Sequence, residues 1–190
     1  MHPPLVRRRI LQGLWLLLAS LWLTLAAPPA AAQGVELAML RTSRDEGALN
    51  LEFLVRLTLP KTVEDALQHG VPMYFVAQAE LRRSRWYWRD ERVARVSRSW
   101  RVAYQPLTGT WRVGLAGINQ THTTLPEALA AVSRSAGWRL ADPSQVDPDS
   151  RHTVEFSYRL DTSQLPGPMQ FGLAGQGDWA VGVERTLRLD

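Results

Sequence analysis

Apolar and polar residues alternate along several stretches of this chain. Every second residue is apolar from Leu49 to Leu59, as in a strand that buries one face. The same period recurs over residues 72–82, 93–104, 154–160 and 179–189. Turn residues separate these short stretches, which is typical of strands that pair with their neighbours. The pattern therefore predicts a mainly β fold, an antiparallel β-sandwich with immunoglobulin-like layers.

Two other segments carry the signals of short helices. The first is expected to begin with Thr62 as its N-cap and to end at Gly70. The second opens on a Thr124 to Glu127 capping box, and its apolar stripe is expected to continue to a stop at Gly137. Because helices do not alternate regularly with strands, a parallel sheet is not expected.

The N-terminus has the organisation of a secretory signal. Three arginines at residues 7–9 precede an apolar run over residues 10–27, and small residues follow at Ala30 and Ala32. These features predict a signal peptide with cleavage before Gln33. The alternative is a retained anchor, although the run is slightly shorter than the roughly 20 residues that span a bilayer.

These boundaries divide the chain into a signal helix, residues 1–32, and a single β-rich envelope domain, residues 33–190. Basic residues on the N-terminal side of an apolar segment stay in the cytoplasm, so the domain is expected on the other side of the membrane. We therefore predict a protein of the periplasm or cell envelope. Membrane contact is expected only through the signal segment, and only if that segment is not cleaved.

Charge and cysteine content narrow the function classes. The chain has 22 basic and 18 acidic residues, and the first 32 residues hold three of the arginines and no acid. Residues 33–190 are thus nearly neutral, which argues against nucleic acid as a partner. No cysteine is present, so disulfides, thiol catalysis and cysteine-ligated metals are excluded.

Signals for catalysis and for cofactors are weak. The three histidines of the predicted domain, His69, His122 and His152, do not have the spacing of metal ligands. The sequence also lacks the G-x-S-x-G motif that exposes a serine nucleophile. We therefore expect a protein that is not an enzyme and that holds no metal or other cofactor.

The segment Arg85-Trp86-Tyr87-Trp88-Arg89 is the candidate binding site. In a strand, Trp86 and Trp88 would share one face, and Tyr87 would share the other with Arg85 and Arg89. One interpretation is an exposed aromatic strip that binds a sugar or a protein partner. The other is that the tryptophans of the domain, these two included, fill its core, which is the usual fate of large rings.

A series of short segments, in order along the chain, resembles the bacterial family called domain of unknown function 4390. The segments are Val63-Glu64-Asp65-Ala66-Leu67, Arg85-Trp86-Tyr87-Trp88, Ala103-Tyr104-Gln105-Pro106-Leu107, Leu125-Pro126-Glu127-Ala128-Leu129, Val154-Glu155-Phe156, Ser163-Gln164-Leu165-Pro166, Ala174-Gly175-Gln176 and Asp178-Trp179. The resemblance covers about Val35 to Leu189. It implies an exported protein without an assigned activity, typically encoded beside a membrane sensor histidine kinase.

Two functions remain open at this point. The first is a non-catalytic periplasmic interaction protein, accessory to an envelope sensor kinase and in contact with the kinase's outer domain. The second is a sugar- or polymer-binding module that uses exposed aromatic side chains.

Overall fold

A computed structural model describes residues 34–85, 87, 89–165, 167 and 177–189. The predicted signal segment lies outside the described residues, as do Ala30, Ala32 and Gln33 at the predicted cleavage site. Within the described part of the chain, no helix is both long enough and apolar enough to cross a membrane.

Nine strands and two short helices make up the described secondary structure. The strands are β1 Val35–Asp45, β2 Ala48–Leu57, β3 Met73–Arg83, β4 Glu91–Gln105, β5 Thr110–Leu115, β6 Ile118–His122, β7 Arg134–Ala141, β8 His152–Leu160 and β9 Gly182–Leu189. The helices are α1 Lys61–Gln68 and α2 Leu125–Val132. The predicted last strand was expected to begin at Trp179, but that residue ends a 3-10 turn, Gly177–Trp179, and β9 begins three residues later.

The strands form two antiparallel sheets. The smaller sheet has the order β1-β2-β7, and the larger has the order β6-β5-β4-β3-β8-β9. The predicted antiparallel β-sandwich with two short helices is confirmed. The sequence pattern did not predict β1, β6 or β7. All three are edge strands of their sheets. In β1 and β6 the alternation between a buried and an exposed face is weak, and β6 has no fully buried residue.

The core lies between the two sheets, on the faces that the period-two pattern predicts. On β3, the side chains of Met73, Phe75, Ala77, Ala79 and Leu81 are all completely buried. On β2, the ring of Phe53 lies 5.0 Å from that of Phe156 on β8, measured between ring centroids. Because side chains of a strand alternate between its faces, one set of positions builds the core and the other faces solvent.

Helix α1 begins two residues earlier than the expected cap at Thr62 implies. Its N-cap is Pro60, whose carbonyl oxygen accepts hydrogen bonds from the backbone N–H groups of Val63 and Glu64, each at 3.0 Å. The expectation of Thr62 was wrong because the chain already turns into the helix at Pro60, three residues after β2 ends. The expected end is confirmed. Gly70 has a φ of 83°, which favours glycine, and the N–H of Val71 donates to Ala66 O at 3.0 Å.

Helix α2 begins as expected and ends earlier than expected. Its capping box is present, with Thr124 as the N-cap and Glu127 in the third position. The helix ends at Val132 and does not continue towards Gly137, because residues distant in sequence form hydrogen bonds with the carbonyl groups at its end. The buried hydroxyl of Tyr158 donates to Val132 O at 3.1 Å. The carbonyl of Ser133 then accepts from the N–H of Val55 at 2.8 Å, and the chain continues as β7.

Candidate functional site

The candidate binding segment lies in the loop that joins β3 to β4. Arg83, the last residue of β3, pairs with Glu91, the first residue of β4, so the intervening residues must reverse the chain direction. Arg85, Tyr87 and Arg89 therefore lie outside any strand, and the prediction that Arg85 and Tyr87 continue a strand was wrong. Trp86 and Trp88 lie outside the described residues.

Glu91 holds the base of this β3–β4 loop, residues 84–90, through two arginines. One carboxylate oxygen, Oε2, accepts a hydrogen bond from Nε of Arg83 at 3.1 Å. The same oxygen also accepts from a terminal nitrogen of Arg83 and from one of Arg85. Hydrogen bonds from Arg83 and then Arg85 lower the pKa of the Glu91 carboxyl, and the Glu91 carboxylate raises the pKa of Arg83. The loop thus starts from a charged, hydrogen-bonded base.

Residues that precede β8 support the same base from the other side. The backbone N–H of Ser84 donates to Arg151 O at 2.9 Å, and a terminal nitrogen of Arg83 lies 3.9 Å from Asp147 Oδ2. The hydroxyl of Ser150 donates to Asp147 at 2.6 Å, and this bond is the main cause that lowers the pKa of Asp147. Three segments of the chain therefore meet at the foot of the β3–β4 loop.

The loop presents a large aromatic side chain and two cations to solvent. Tyr87 is 64% exposed, and the side chain of Arg85 remains about one-third exposed while it contacts Glu91. Arg89 is exposed, and within the described ranges no carboxylate lies within 4 Å of it. Tyrosine and arginine are the residue types that most often dominate the energy of protein interfaces. This combination can bind an apolar or acidic surface without any chemistry of its own.

The histidines do not come together. His69 ends α1, where its Nδ1 lies 2.7 Å from Asp65 O, and His122 ends β6. His152 begins β8 and is buried on the inner face, where its Nε2 has no hydrogen-bond partner among the described residues. No group of three potential metal ligands is present in the residues that the structure describes.

The tryptophans within the described residues support the interpretation that these rings fill the core. Trp100, Trp111, Trp138 and Trp179 are all buried. These four side chains are therefore not part of an exposed aromatic strip.

Arginines of β4 divide between the two faces of the sheet. Arg95, Arg98 and Arg101 all lie on this strand. Arg95 and Arg101 do lie on the outer face, where Arg95 Nε is 3.2 Å from the buried carboxylate of Glu80. Arg98 instead pairs with the buried Ala77 and lies on the inner face. Arg98 is an even number of residues from Val96, Trp100 and Val102, so the alternation along the strand places it on their face.

The family comparison agrees with the resemblance read from the sequence. The chain belongs to the family described as Domain of unknown function (DUF4390), whose model matches residues 32–188. Comparison with curated proteins and with solved structures gave no match.

Proposed function

We propose that this member of the DUF4390 family is a non-catalytic interaction protein of the bacterial periplasm, and that it binds a membrane protein through the β3–β4 loop. The observation that carries the proposal is the exposure of Tyr87 above a base that Glu91 and Arg83 hold in place. A large, exposed aromatic ring on an anchored loop loses little conformational entropy when a partner covers it.

The partner that fits best is the outer domain of an envelope sensor kinase. The signal-like N-terminus is the basis for placing the domain in the same compartment as such an outer domain. Arg85 and Arg89 favour a partner surface that contains carboxylates, because arginine forms planar, paired hydrogen bonds with them.

Site-specific photo-crosslinking in intact cells tests this proposal. A photoreactive phenylalanine analogue replaces Tyr87 in one variant and Leu107 in the control. Leu107 is a fully exposed apolar residue in the turn between β4 and β5, at the other end of β4. We expect a specific membrane-protein adduct from position 87 and none from position 107.

The outcomes of this experiment separate clearly. If no adduct forms at position 87, or if the same adduct forms at both positions, the β3–β4 loop is not the interface.

Mass analysis of the exported protein from the same cells measures its N-terminus, which we expect at Gln33.

Sugar or polymer binding is the second candidate, and the exposed ring of Tyr87 between two arginines is the observation in its favour. Aromatic rings stack on apolar faces of ligands, and arginines would bind acidic groups on a polymer. Titration with neutral and acidic envelope glycans tests this function. We expect a Tyr87→Ala variant to lose any binding that the original protein shows, whereas Leu107→Ala retains it.

A further inference from the structure

A second feature of the molecule lies between the sheets, away from the β3–β4 loop. The smaller sheet is narrower than the larger one, and α2 covers the inner faces of β5 and β6 beyond the edge strand β7. A cavity of about 230 Å³ remains between α2, the start of β7 and the inner face of the larger sheet. We call it the Arg98 groove, after the charged residue in its wall. Its other principal lining residues are Trp100, Leu115, Ile118, Arg134 and Ser135.

Arg98 is held in one position by two neighbours. A terminal nitrogen of its guanidinium donates to the hydroxyl of Ser135 at 2.5 Å, and the guanidinium carbon lies 5.2 Å from the ring centroid of Trp138. Both neighbours belong to β7 and are buried. A cation above an aromatic ring is stabilised by the electrons of the ring face. The guanidinium is therefore oriented before any ligand arrives.

The charge of Arg98 has no acidic partner among the described residues. Across the described parts of the chain, no carboxylate lies within 4 Å of Arg98 or of Arg134, and no acidic side chain lines the Arg98 groove. Burial lowers the pKa of Arg98, because the charged form loses part of its hydration. Glu52 and Glu127 line an adjoining, larger cavity that shares residues 134–136, Gln120 and Ala131 with the groove. The groove thus contains a partly desolvated cation that lacks an anion.

Apart from Arg134, Ser135 and Gln120, the other residues that line the groove are apolar. Leu115 and Ile118 face each other across the β5–β6 hairpin, and Ile118 is 69% exposed at the rim. Trp100 lies deeper and is buried. Apolar side chains next to one oriented polar group are typical of sites for small ligands.

We propose that the Arg98 groove binds a carboxylate that carries an apolar group. The carboxylate accepts paired hydrogen bonds from Arg98, and the apolar group covers Leu115 and Ile118. A water molecule occupies about 30 Å³ in the liquid, so the cavity has room for roughly eight non-hydrogen atoms. That size fits a short-chain carboxylic acid, or the carboxylate and side chain of a peptide's C-terminal residue with the rest of the peptide outside. The site shares no residue with the β3–β4 loop, so it does not depend on the function proposed above.

Nuclear magnetic resonance titration of the full-length protein tests the site with three probes. N-acetyl-leucine represents a peptide C-terminus, hexanoate represents a short-chain acid, and N-acetyl-leucinamide is the uncharged control. We expect saturable shifts of the Arg98 side-chain N–H and of the Leu115 and Ile118 methyl groups with at least one acid. The amide should bind about 10-fold more weakly than N-acetyl-leucine, because a hydrogen bond to a charged group contributes about 1.5 kcal/mol or more. Tighter binding of N-acetyl-leucine than of hexanoate assigns the site to peptide ends, and the reverse order assigns it to free acids.

Variants separate binding at the Arg98 groove from general effects on the fold. Arg98→Gln should remove the preference for acid over amide, and Arg98→Lys, which keeps the charge but not the planar fork, should recover only part of it. Ile118→Ser at the exposed rim should weaken both acids several-fold while the spectrum of the core is unchanged. The matched control is Arg101→Gln, three residues along β4 on the outer face, which should leave binding unaltered.

Three results would overturn the proposal. One is the absence of saturable shifts at these groups at millimolar probe concentrations. Another is equal binding of acid and amide. The third is equal loss of binding in the Arg98→Gln and Arg101→Gln variants.

Discussion

Phe53 is the residue at which the aromatic side chains of the two sheets meet. It is 1% exposed, and its ring centroid lies 5.0–6.2 Å from the rings of Trp100, Trp138, Phe156 and Tyr158. These four rings belong to strands of both sheets. Phe53, on the smaller sheet, therefore packs against three rings of the larger sheet across the core.

Truncation of this ring should be costly. We expect Phe53→Ala to lower the free energy of unfolding by about 3–5 kcal/mol, because it removes buried area and leaves a cavity. Urea denaturation measures the change. The adjacent Leu54 points to the other face and is 39% exposed, so Leu54→Ala should change the free energy by no more than about 0.5 kcal/mol. Similar losses in the two variants would contradict the assigned faces of β2.

Glu91 determines how the base of the β3–β4 loop responds to acid. Arg83 and Arg85 lower the pKa of its carboxyl from the ordinary value of 4.5. A carboxyl with a lowered pKa in the folded state contributes stability above its unfolded pKa, and this contribution is lost as the pH falls through the folded pKa. The loop base should therefore be strongest at neutral pH and weaken below about pH 4.5.

Glu91→Gln tests this dependence. Urea midpoints of the variant and the original protein should differ most at neutral pH, and the difference should shrink as the pH falls below about 4.5. The lowered pKa values of Glu127 and Asp161, which do not contact Arg83 or Arg85, act in both proteins and cancel in the comparison. A difference that stays constant down to about pH 3 would show that the charge of Glu91 does not stabilise the loop.

At the scale of elements, the joint between α2 and β7 illustrates how one segment changes from helix to strand. In the pairing of β2 with β7, Leu51 lies opposite Trp138 and Phe53 lies opposite Ser135. Between these two pairs β2 advances by two residues and β7 by three, so β7 carries one extra residue. Gly137 lies in this bulge with a φ of 57°. A glycine in this conformation is characteristic of a β-bulge, which bends the strand and increases its twist.

Gly137→Ala should therefore lower the free energy of unfolding by about 1–2 kcal/mol, the cost of the left-handed conformation in an L-residue. A Cβ atom at this position would have no neighbour within 4 Å, so the expected loss comes from backbone conformation and not from a clash. Gly137→Asn should lose less, because asparagine adopts this conformation more readily. Chemical denaturation compares the three proteins, and equal losses for alanine and asparagine would contradict this explanation.

At the scale of the whole molecule, the buried apolar residues form one continuous cluster that both sheets and both helices share. A single shared core favours unfolding in one cooperative step. The predicted domain, residues 33–190, should accordingly fold by itself.

Calorimetry of a chain that begins at Gln33 measures this cooperativity. We expect one transition with an unfolding enthalpy of about 110 kcal/mol near 60 °C, from about 0.7 kcal/mol per residue. The calorimetric and van't Hoff enthalpies should agree. Two separate transitions would show that the two sheets are not one cooperative unit.

The sequence by itself determined the interior strands and much of the core. Strands β2, β3, β4 and β8 each bury one face, and a buried face must repeat every two residues along the strand. The capping box of α2 and Gly70 after α1 were also predictable from the sequence, because both depend on contacts within a few residues. The family was recognisable from short segments that keep their order along the chain.

Tertiary structure alone decided where α2 ends and where the candidate loop lies. The hydroxyl of Tyr158 and the N–H of Val55 take the carbonyls at the end of α2, and both come from distant parts of the chain. The pairing of Arg83 with Glu91 leaves residues 84, 85, 87, 89 and 90 outside the sheet, although the alternating pattern over residues 85–88 favours a strand. The parity of β4 placed Arg98 on the inner face, but its neighbours Ser135 and Trp138 belong to a strand that the local pattern predicted as helix and loop. Local pattern determines which face a residue occupies, whereas partners distant in sequence determine what that face contacts.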